Sequence, residues 1–134
     1  MSVLVTDQGF SVPRPGTPVA LADIAGHKGM VALAHTDDPA PLAPYLADLT
    51  LISVAFPSFS DGRAFTIARR LRMMGYLGEL RALGPVIADQ FAMARRVGFD
   101  SVEIPDDLAA RQPQDQWLSR ADWQAHNYLS RLKA

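Results

Sequence analysis

Short apolar runs alternate with longer amphipathic stretches along most of the chain. Four runs predict buried strands, at residues 30–34, 49–56, 79–83 and 101–104. Two intervening stretches, 61–74 and 85–97, carry apolar positions at the spacing of an amphipathic helix. Strands that alternate with helices are typical of right-handed β-α-β units, so we expect an α/β fold with four parallel strands. An open twisted sheet is favoured, and a half-barrel that pairs with another copy is the alternative.

Both ends of the chain carry further patterns. Residues 2–12 alternate enough to predict a short strand pair, with its turn at Asp7-Gln-Gly9. Gly98 fits the left-handed residue that ends many helices. Residues 116–132 predict a polar C-terminal helix. No repeat, low-complexity tract or linker separates these elements, so we expect a single domain over residues 1–134.

Composition narrows the classes of function. The 134 residues carry a formal net charge of −1, so bulk charge favours neither nucleic acid nor an anionic membrane as a partner. No apolar run approaches the length of a membrane span and the N-terminus lacks a secretion signal, so we expect a cytoplasmic protein. Cysteine is absent, which removes disulfides, thiolate nucleophiles and cysteine-held iron–sulfur clusters. The three histidines lack the spacing of metal ligands, so no metal site is expected.

A polar turn follows the second predicted strand, where open α/β proteins bind ligands. Ser60, Asp61 and Arg63 lie in this turn, immediately before the first long helix. Backbone N–H groups, the helix dipole and an arginine together make an anion site. The favoured interpretation is different, because Ser60 or Asp61 at the N-cap accepts from the same N–H groups and a carboxylate there repels an anion.

Two polar residues occupy positions that are normally apolar. Arg81 lies in the middle of the third predicted strand, and Gln90 falls on the apolar side of its predicted helix. A buried guanidinium or amide needs partners, for which Glu79, Asp89 and Gln90 itself are the candidates. Arg81 therefore belongs to an internal network, lies on an edge strand in solvent, or contacts an oxyanion from the floor of a pocket.

The first long helix carries four arginines and no acidic residue. Helical spacing places its apolar residues on one face, which should meet the sheet. These apolar residues are Ala64, Ile67, Ala68, Leu71 and Met74. The arginines Arg63, Arg69, Arg70 and Arg72 lie on the flanks of that face. They form either a solvated surface that pairs with acids elsewhere, or a docking surface for an acidic partner with salt-dependent association.

Several motifs between the second strand and the fourth occur in the order found in one bacterial family. They are Phe56-Pro-x-Phe-x-Asp-Gly-Arg63, Gly78-Glu-Leu-Arg-Ala-x-Gly84, Asp89-Gln90 and Gly98-Phe-Asp100. Over residues 49–104 the chain resembles the uncharacterised bacterial domain-of-unknown-function family 934. The resemblance implies genes that often lie beside those of assimilatory sulfite and phosphoadenylylsulfate reduction. It also implies the label of an oxidoreductase of sulfite reduction, which some family members carry.

The chain departs from the family pattern at two places. Ala64, Phe65 and Thr66 follow Arg63, where family members often read Gly-Tyr/Phe-Ser. Val97 stands where many members carry a cysteine, which argues against an essential redox thiol at that position. The oxidoreductase label therefore matches no redox centre in these residues, and the sequence assigns neither an enzymatic activity nor a cofactor.

Two functions of different classes fit these observations. The favoured one is an accessory factor of assimilatory sulfite or sulfate reduction, which docks sulfite reductase, phosphoadenylylsulfate reductase or a substrate through the arginine-rich motif. The alternative is a small enzyme or sensor that binds an oxyanion or nucleotide through Arg63, Arg81 and Gln90 in a pocket at the strand ends. A homo-oligomeric scaffold is a third. Arginines that converge on a cavity favour a ligand, whereas an exposed basic face favours a partner.

Overall fold

Seven strands form one open sheet in the part of the chain that the computed structural model describes, which comprises residues 2–13, 16, 18–24, 29–57 and 62–119. The strands are β1 (Ser2–Thr6), β2 (Gly9–Ser11), β3 (Val19–Ala20), β4 (Met30–Leu33), β5 (Leu51–Ala55), β6 (Glu79–Leu83) and β7 (Ser101–Pro105). The α-helices are α1 (Arg63–Met73), α2 (Phe91–Val97), α3 (Asp106–Arg111) and α4 (Gln114–Leu118). Short 3-10 helices occur at Leu21–Asp23, Ala40–Asp48 and Ala88–Gln90.

The strands lie in the order β2-β1-β7-β6-β5-β4-β3. Neighbours from β3 to β7 are parallel, whereas β1 is antiparallel to both β7 and β2. The predicted α/β fold, with four parallel strands, an N-terminal strand pair and an open sheet, is therefore confirmed. The four predicted strands are β4 to β7, and the hairpin of β1 and β2 extends the sheet beyond β7. The two-residue strand β3 has no counterpart among the predicted elements.

One face of the sheet packs against the helices through alternate strand residues. Ile52 and Val54 in β5 are register partners of Leu80 and Ala82 in β6, and Val102 in β7 pairs with Ala82. All five side chains belong to the apolar cluster that also buries the inner face of α1. From α1 this cluster takes Ala64, Ile67, Ala68 and Leu71, which are four of the five positions that the helical spacing predicts.

The connections around β5 and β6 are less regular than the sequence pattern suggests. The predicted helix at 85–97 begins as a 3-10 turn at Ala88–Gln90 and becomes α-helical only from Phe91. The connection between β4 and β5 is the 3-10 helix Ala40–Asp48, which contains Pro44. Because proline has no N–H for an α-helical hydrogen bond, this segment does not form a regular α-helix.

The end of α2 follows the prediction. Gly98 has a φ of 119°, in the left-handed region that glycine adopts without strain. The N–H of Phe99 donates to the carbonyl of Ala94 at 3.0 Å, and the Phe99 ring is fully buried. The helix end thus turns the chain back into the core before β7.

The C-terminal helix begins earlier than expected. Within the described residues it is α4, Gln114–Leu118, and the predicted part beyond Ser119 lies outside them. Trp117 is fully buried, with its ring edge-to-face with Phe91 at a centroid separation of 5.9 Å. Its indole N–H donates to the carbonyl of Gln112 at 2.9 Å, so α4 is fixed by both apolar and polar contacts.

A test of the close contact between the C-terminal ends of β5 and β6 is the substitution Gly84→Ala. Gly84 has a φ of 132°, and a Cβ there would collide with the carbonyl oxygen of Phe56, which is backbone and cannot rotate away. We expect the free energy of unfolding to fall by about 2–4 kcal/mol, measured by urea denaturation followed by circular dichroism. Gly62→Ala is the matched control, since nothing lies within 4 Å of its added Cβ, and it should change stability by less than about 1 kcal/mol. Equal stability of the two variants would contradict the collision.

Candidate functional site

The face of the sheet opposite α1 and α2 carries a row of polar side chains. Ser53 in β5, Arg81 in β6 and Ser101 in β7 are successive register partners, and each alternates with residues of the helix-side core. All three are almost fully buried, and Arg81 is only 4% exposed. Because β6 lies between β5 and β7, Arg81 is not on an edge strand. The solvent-exposed alternative for this arginine is therefore wrong.

Arg81 is held by two carboxylates on the same face. Its Nη2 lies 3.0 Å from Oε2 of Glu79, two residues earlier in β6, and its Nη1 lies 3.0 Å from Oε1 of Glu103 in β7. The hydroxyl of Ser101 donates to Oε2 of Glu79 at 3.1 Å, and that of Ser2 donates to Oε2 of Glu103 at 2.7 Å. We call these five residues the Arg81 cluster. It ties β1, β6 and β7 together on this face.

One nitrogen atom of the cluster has no acceptor. A guanidinium carries five N–H groups, and Arg81 uses two of them in the bonds to Glu79 and Glu103. The Nε of Arg81 is buried without a hydrogen-bond partner, and among the described residues it is the only buried side-chain nitrogen or oxygen in that state. A buried unpaired donor of this kind costs about 1–3 kcal/mol.

A cavity of about 330 Å³ adjoins the row, and we call it the sheet-face cavity. Within the described part of the chain, its polar lining comprises Ser53, Arg81 and Glu103. The other described residues that line it are Pro13, Gly16, Pro18, Met30, Leu51 and Leu83. The cavity therefore combines an apolar wall with a small polar patch, which is the usual composition of a small-molecule site.

Electrostatics in this cavity does not favour a small anion. Among the described residues, the charged groups that line it are Arg81 and Glu103, whose charges cancel, and Glu79 also pairs with Arg81. At an effective dielectric constant of roughly 20, two unit charges about 4 Å apart interact with an energy of about 4 kcal/mol. One carboxylate therefore offsets the attraction of the guanidinium for an oxyanion, and a second outweighs it.

Only part of the polar turn before α1, which the sequence singles out, lies within the described residues. Ser60 and Asp61 lie outside the described residues. The helix α1 begins at Arg63 with Gly62 at the N-cap, later along the chain than the predicted cap at Ser60 or Asp61. Arg63 is exposed on the helix side of the sheet.

Asp89 and Gln90 also lie on the helix side, in the 3-10 turn before α2. Asp89 is exposed, whereas Gln90 is half-buried and its Oε1 accepts from the N–H of Ile87 at 3.2 Å. Of the three candidate partners of Arg81, the structure pairs it with Glu79 alone. The nominated residues Arg63, Arg81 and Gln90 are thus divided between opposite faces of the sheet.

The arginines of α1 have different roles. Arg72 is a structural residue, whose Nε and Nη2 donate to the carbonyl of Gly98 at 3.0 and 2.8 Å. Its Nη1 donates to the carbonyls of Tyr76 and Gly78, both at 2.9 Å, and its Nη2 pairs with Asp100 at 2.8 Å. The Arg72 side chain therefore links the C-terminal ends of α1 and α2. Its three guanidinium nitrogens are all used within the fold, so it is not available to a partner.

The outward residues of α1 form an exposed basic row. This row, which we call the α1 stripe, consists of Arg63, Thr66, Arg69 and Arg70. Arg70 pairs with Asp38 at 3.1 Å, and both side chains remain about half exposed or more. The pKa of Asp38 is held below its ordinary value, first by the N–H of Ala40 and then by Arg70. Arg69 forms no ion pair with any described residue.

Apolar side chains border the α1 stripe on both sides. Met73 is 79% exposed and Leu77 is 95% exposed, next to a groove of about 610 Å³ between the C-terminal end of α1 and the Ala40–Asp48 helix. On the other flank, Met93 of α2 is 53% exposed and lines a groove with Arg69. Methionine and arginine are both enriched at protein interfaces, so this surface has the composition of a docking site.

Sequence reasoning missed two contacts of this region. Glu103 was not recognised as a partner of Arg81, although Ser101-Val-Glu-Ile104 and Glu79-Leu-Arg-Ala82 share the same polar–apolar alternation. This shared two-residue period could have predicted the contact, because it places Glu79, Arg81 and Glu103 on one face of neighbouring parallel strands. The structural role of Arg72 had no local signal, since its main acceptor, Gly98, is 26 residues away.

The Arg81 cluster is tested by removing its cation. We expect Arg81→Met to lower the free energy of unfolding by about 2–4 kcal/mol, because it leaves two partly buried carboxylates without a counter-charge. The triple variant Arg81→Met, Glu79→Gln, Glu103→Gln should recover most of that loss. Urea denaturation curves of the three proteins measure both effects, and an unchanged midpoint for Arg81→Met would contradict the pairing.

Arg72 and Arg69 provide a second comparison. Arg72→Met removes hydrogen bonds to three backbone carbonyls, so we expect the melting temperature to fall by roughly 6–10 °C. Arg69→Met changes an exposed residue on the same helix, and we expect it to shift the melting temperature by less than about 2 °C. Differential scanning calorimetry distinguishes these outcomes, and similar shifts for both variants would show that Arg72 has no special structural role.

The described residues contain no helix of the length and apolarity that a membrane crossing requires, and no group of three or more His, Asp or Glu side chains placed to share a metal ion. Comparison with curated proteins and with solved structures found no match. The model of one family, described as bacterial protein of unknown function (DUF934), matches residues 30–129. The chain therefore belongs to this family, as its motifs between residues 49 and 104 predict.

Proposed function

We propose that the protein is an accessory factor of assimilatory sulfite reduction, which docks an acidic surface of a reductase through the α1 stripe. The observation that carries the proposal is the separation of the arginines. Arg63, Arg69 and Arg70 are exposed on the helix side, whereas Arg81 is buried on the opposite face with two carboxylates. Exposed arginines that do not converge on a cavity favour a protein partner.

The charge of α1 supports an acidic partner. The helix has no Asp or Glu in its sequence, and its first turn contains no acidic residue. Arg70 of the stripe pairs with Asp38, and this exposed ion pair contributes little to stability. An incoming carboxylate can therefore replace Asp38 without disturbing the fold.

The apolar flanks supply the contact area that charge alone does not. Met73, Leu77 and Met93 expose apolar surface beside the arginines, and burial of such surface contributes roughly 25 cal/mol per Å². A partner that covers both flanks of the α1 stripe would bury all three side chains. The association rate would then depend on the salt concentration, and much of the affinity would come from apolar contacts.

The identity of the partner comes from the family resemblance. That resemblance implies a setting of sulfite and phosphoadenylylsulfate reduction, so sulfite reductase and phosphoadenylylsulfate reductase are the partners that we propose. The alternative oxyanion site needs Arg63, Arg81 and Gln90 around one pocket, and their positions on opposite faces of the sheet count against it.

The test is binding of the purified protein to each reductase by biolayer interferometry at about 0.05 M and about 0.5 M salt. We expect a complex that weakens at high salt, because the Debye length shortens to a few ångströms. Arg69→Glu should raise the dissociation constant at least about fivefold at low salt. Arg111→Glu is the matched control, since Arg111 is 72% exposed on α3 and its charge change is the same.

Two results would contradict different parts of the proposal. If neither reductase binds the wild-type protein at low salt, the proposed partners are wrong. If a reductase binds and Arg69→Glu weakens the complex no more than Arg111→Glu, the α1 stripe is not the docking surface.

A further inference from the structure

An apolar groove lies beside the α1 stripe, between the Ala40–Asp48 helix and the C-terminal end of α1. It consists of two adjoining hollows of about 610 and 420 Å³, which share Ala43 and Met74. We call it the helix-side groove. Apart from Arg70, the described residues that line it are alanine, glycine, leucine and methionine. The groove is therefore apolar along both hollows.

The repeat of the Ala40–Asp48 helix builds one wall of the groove. A 3-10 helix has three residues per turn, so every third side chain lies in the same row. Ala40, Ala43 and Leu46 form such a row, and all three line the groove. At about 2 Å of rise per residue, this 3-10 helix is about 18 Å long. That length corresponds to roughly three turns of an α-helix laid along it.

The other wall exposes apolar side chains to solvent. Met73 is 79% exposed and lines the smaller hollow, whereas Leu77 is 95% exposed and lines the larger one. The exposed apolar surface thus extends along the length of the groove. Contiguous apolar surface of this kind, rimmed by polar residues, is typical of a surface that another molecule covers.

Charge selects the kind of helix that fits. Among the described residues that line the groove, Arg70 alone is charged. Its partner Asp38 is 65% exposed, so a carboxylate from another molecule can take its place. The neighbouring helix α1 has no Asp or Glu in its sequence and also exposes Arg69. An acidic side chain at this edge of the groove is therefore attracted, and a basic one is repelled.

We propose that the helix-side groove binds an amphipathic α-helix with acidic residues on its flank. Apolar side chains at i, i+3 or i+4, and i+7 of that helix pack between Leu46, Met74 and Leu77, and an acidic side chain pairs with Arg70. This inference rests on the proposed docking of a reductase, and it names the element of that partner that the groove takes.

The five methionines of the chain supply a local readout. Met73 and Met74 line the groove, whereas Met30 lies in β4 and lines the sheet-face cavity. Labelling of the methionine methyl groups with ¹³C gives one NMR signal per methionine. Each signal is assigned by its loss when that methionine is replaced by leucine.

The probe is a synthetic helical peptide of about 14 residues, made of leucine, alanine and glutamate, with leucine at the apolar positions. We expect saturable shifts of Met73 and Met74 with a dissociation constant of about 1 mM or tighter, and no shift of Met30. The same peptide with lysine in place of glutamate should bind at least about fivefold more weakly at about 0.05 M salt. This difference should shrink at about 0.5 M salt, where charges are screened.

Ala43→Trp provides a variant that fills the groove. Ala43 is exposed and belongs to both hollows, so the larger side chain changes the groove and not the core. We expect it to raise the dissociation constant of the acidic peptide at least about tenfold. Ala110→Trp is the matched control, because Ala110 is exposed on α3, and its binding should equal that of the wild type. Folding of each variant is checked from the dispersion of its amide spectrum.

The same variants separate this inference from the docking proposal. If a reductase binds the wild-type protein, Ala43→Trp should weaken that complex at least about fivefold more than Ala110→Trp does. Equal effects would show that the reductase docks without a helix in the groove, and would overturn the inference alone. If neither reductase binds, the docking proposal fails, and the peptide titration still tests the groove.

Four results of the peptide titration would overturn the inference. Three are no shift of Met73 and Met74 at about 5 mM acidic peptide, equal affinity for the acidic and basic peptides at low salt, or wild-type affinity of folded Ala43→Trp. The fourth is a shift of the same two signals when the protein concentration alone is raised, which would show that a second copy of the chain covers the groove.

Discussion

The order of the strands from β4 to β7 follows the order of the chain, and this constraint organises the rest of the molecule. Parallel crossovers are nearly always right-handed, so strands that follow one another in one direction place all their connections on the same face. The apolar cluster obeys this rule, because it takes alternate residues of β4 to β7 and the inner faces of α1 and α2. A doubly wound sheet, whose order reverses, would instead have helices on both sides. Here the second face of β5, β6 and β7 carries Ser53, Arg81 and Ser101, which are all buried.

That second face is buried in an unusual way for parallel strands, which are normally apolar on both sides. It holds one guanidinium between two carboxylates. The Ser2 hydroxyl donates to the other oxygen of Glu103, and the Ser101 hydroxyl donates to the Glu79 oxygen that also accepts from Arg81. Buried ion pairs of this kind contribute little net stability, since desolvation of the charges offsets their attraction, and apolar replacements are often as stable. The Arg81 cluster is therefore poorly explained as a stabilising device.

The sequence pattern predicts the sheet well because the apolar runs of β4 to β7 are local signals of burial. It also singles out Arg81, since a charged residue inside such a run is conspicuous. The remaining contacts of the site depend on register, which the pattern does not determine. Glu103 reaches Arg81 only because Leu83 pairs with Glu103 in β7, and Arg72 reaches Gly98 only after α1 and α2 have packed together. The division of Arg63, Arg81 and Gln90 between two faces follows from the alternation of a strand combined with the single-sided helices.

The α1 stripe and the sheet-face cavity lie on opposite sides of the sheet, yet the same strand contributes to both sides. In β5, Ile52 and Val54 pack under α1, and Ser53 between them faces the opposite way into the sheet-face cavity. A register shift of one residue would turn Ser53 toward the helices and the two apolar side chains toward Arg81. That exchange buries a hydroxyl in the apolar core and removes the polar patch of the cavity. The register of β5 is therefore fixed by both faces of the sheet at once.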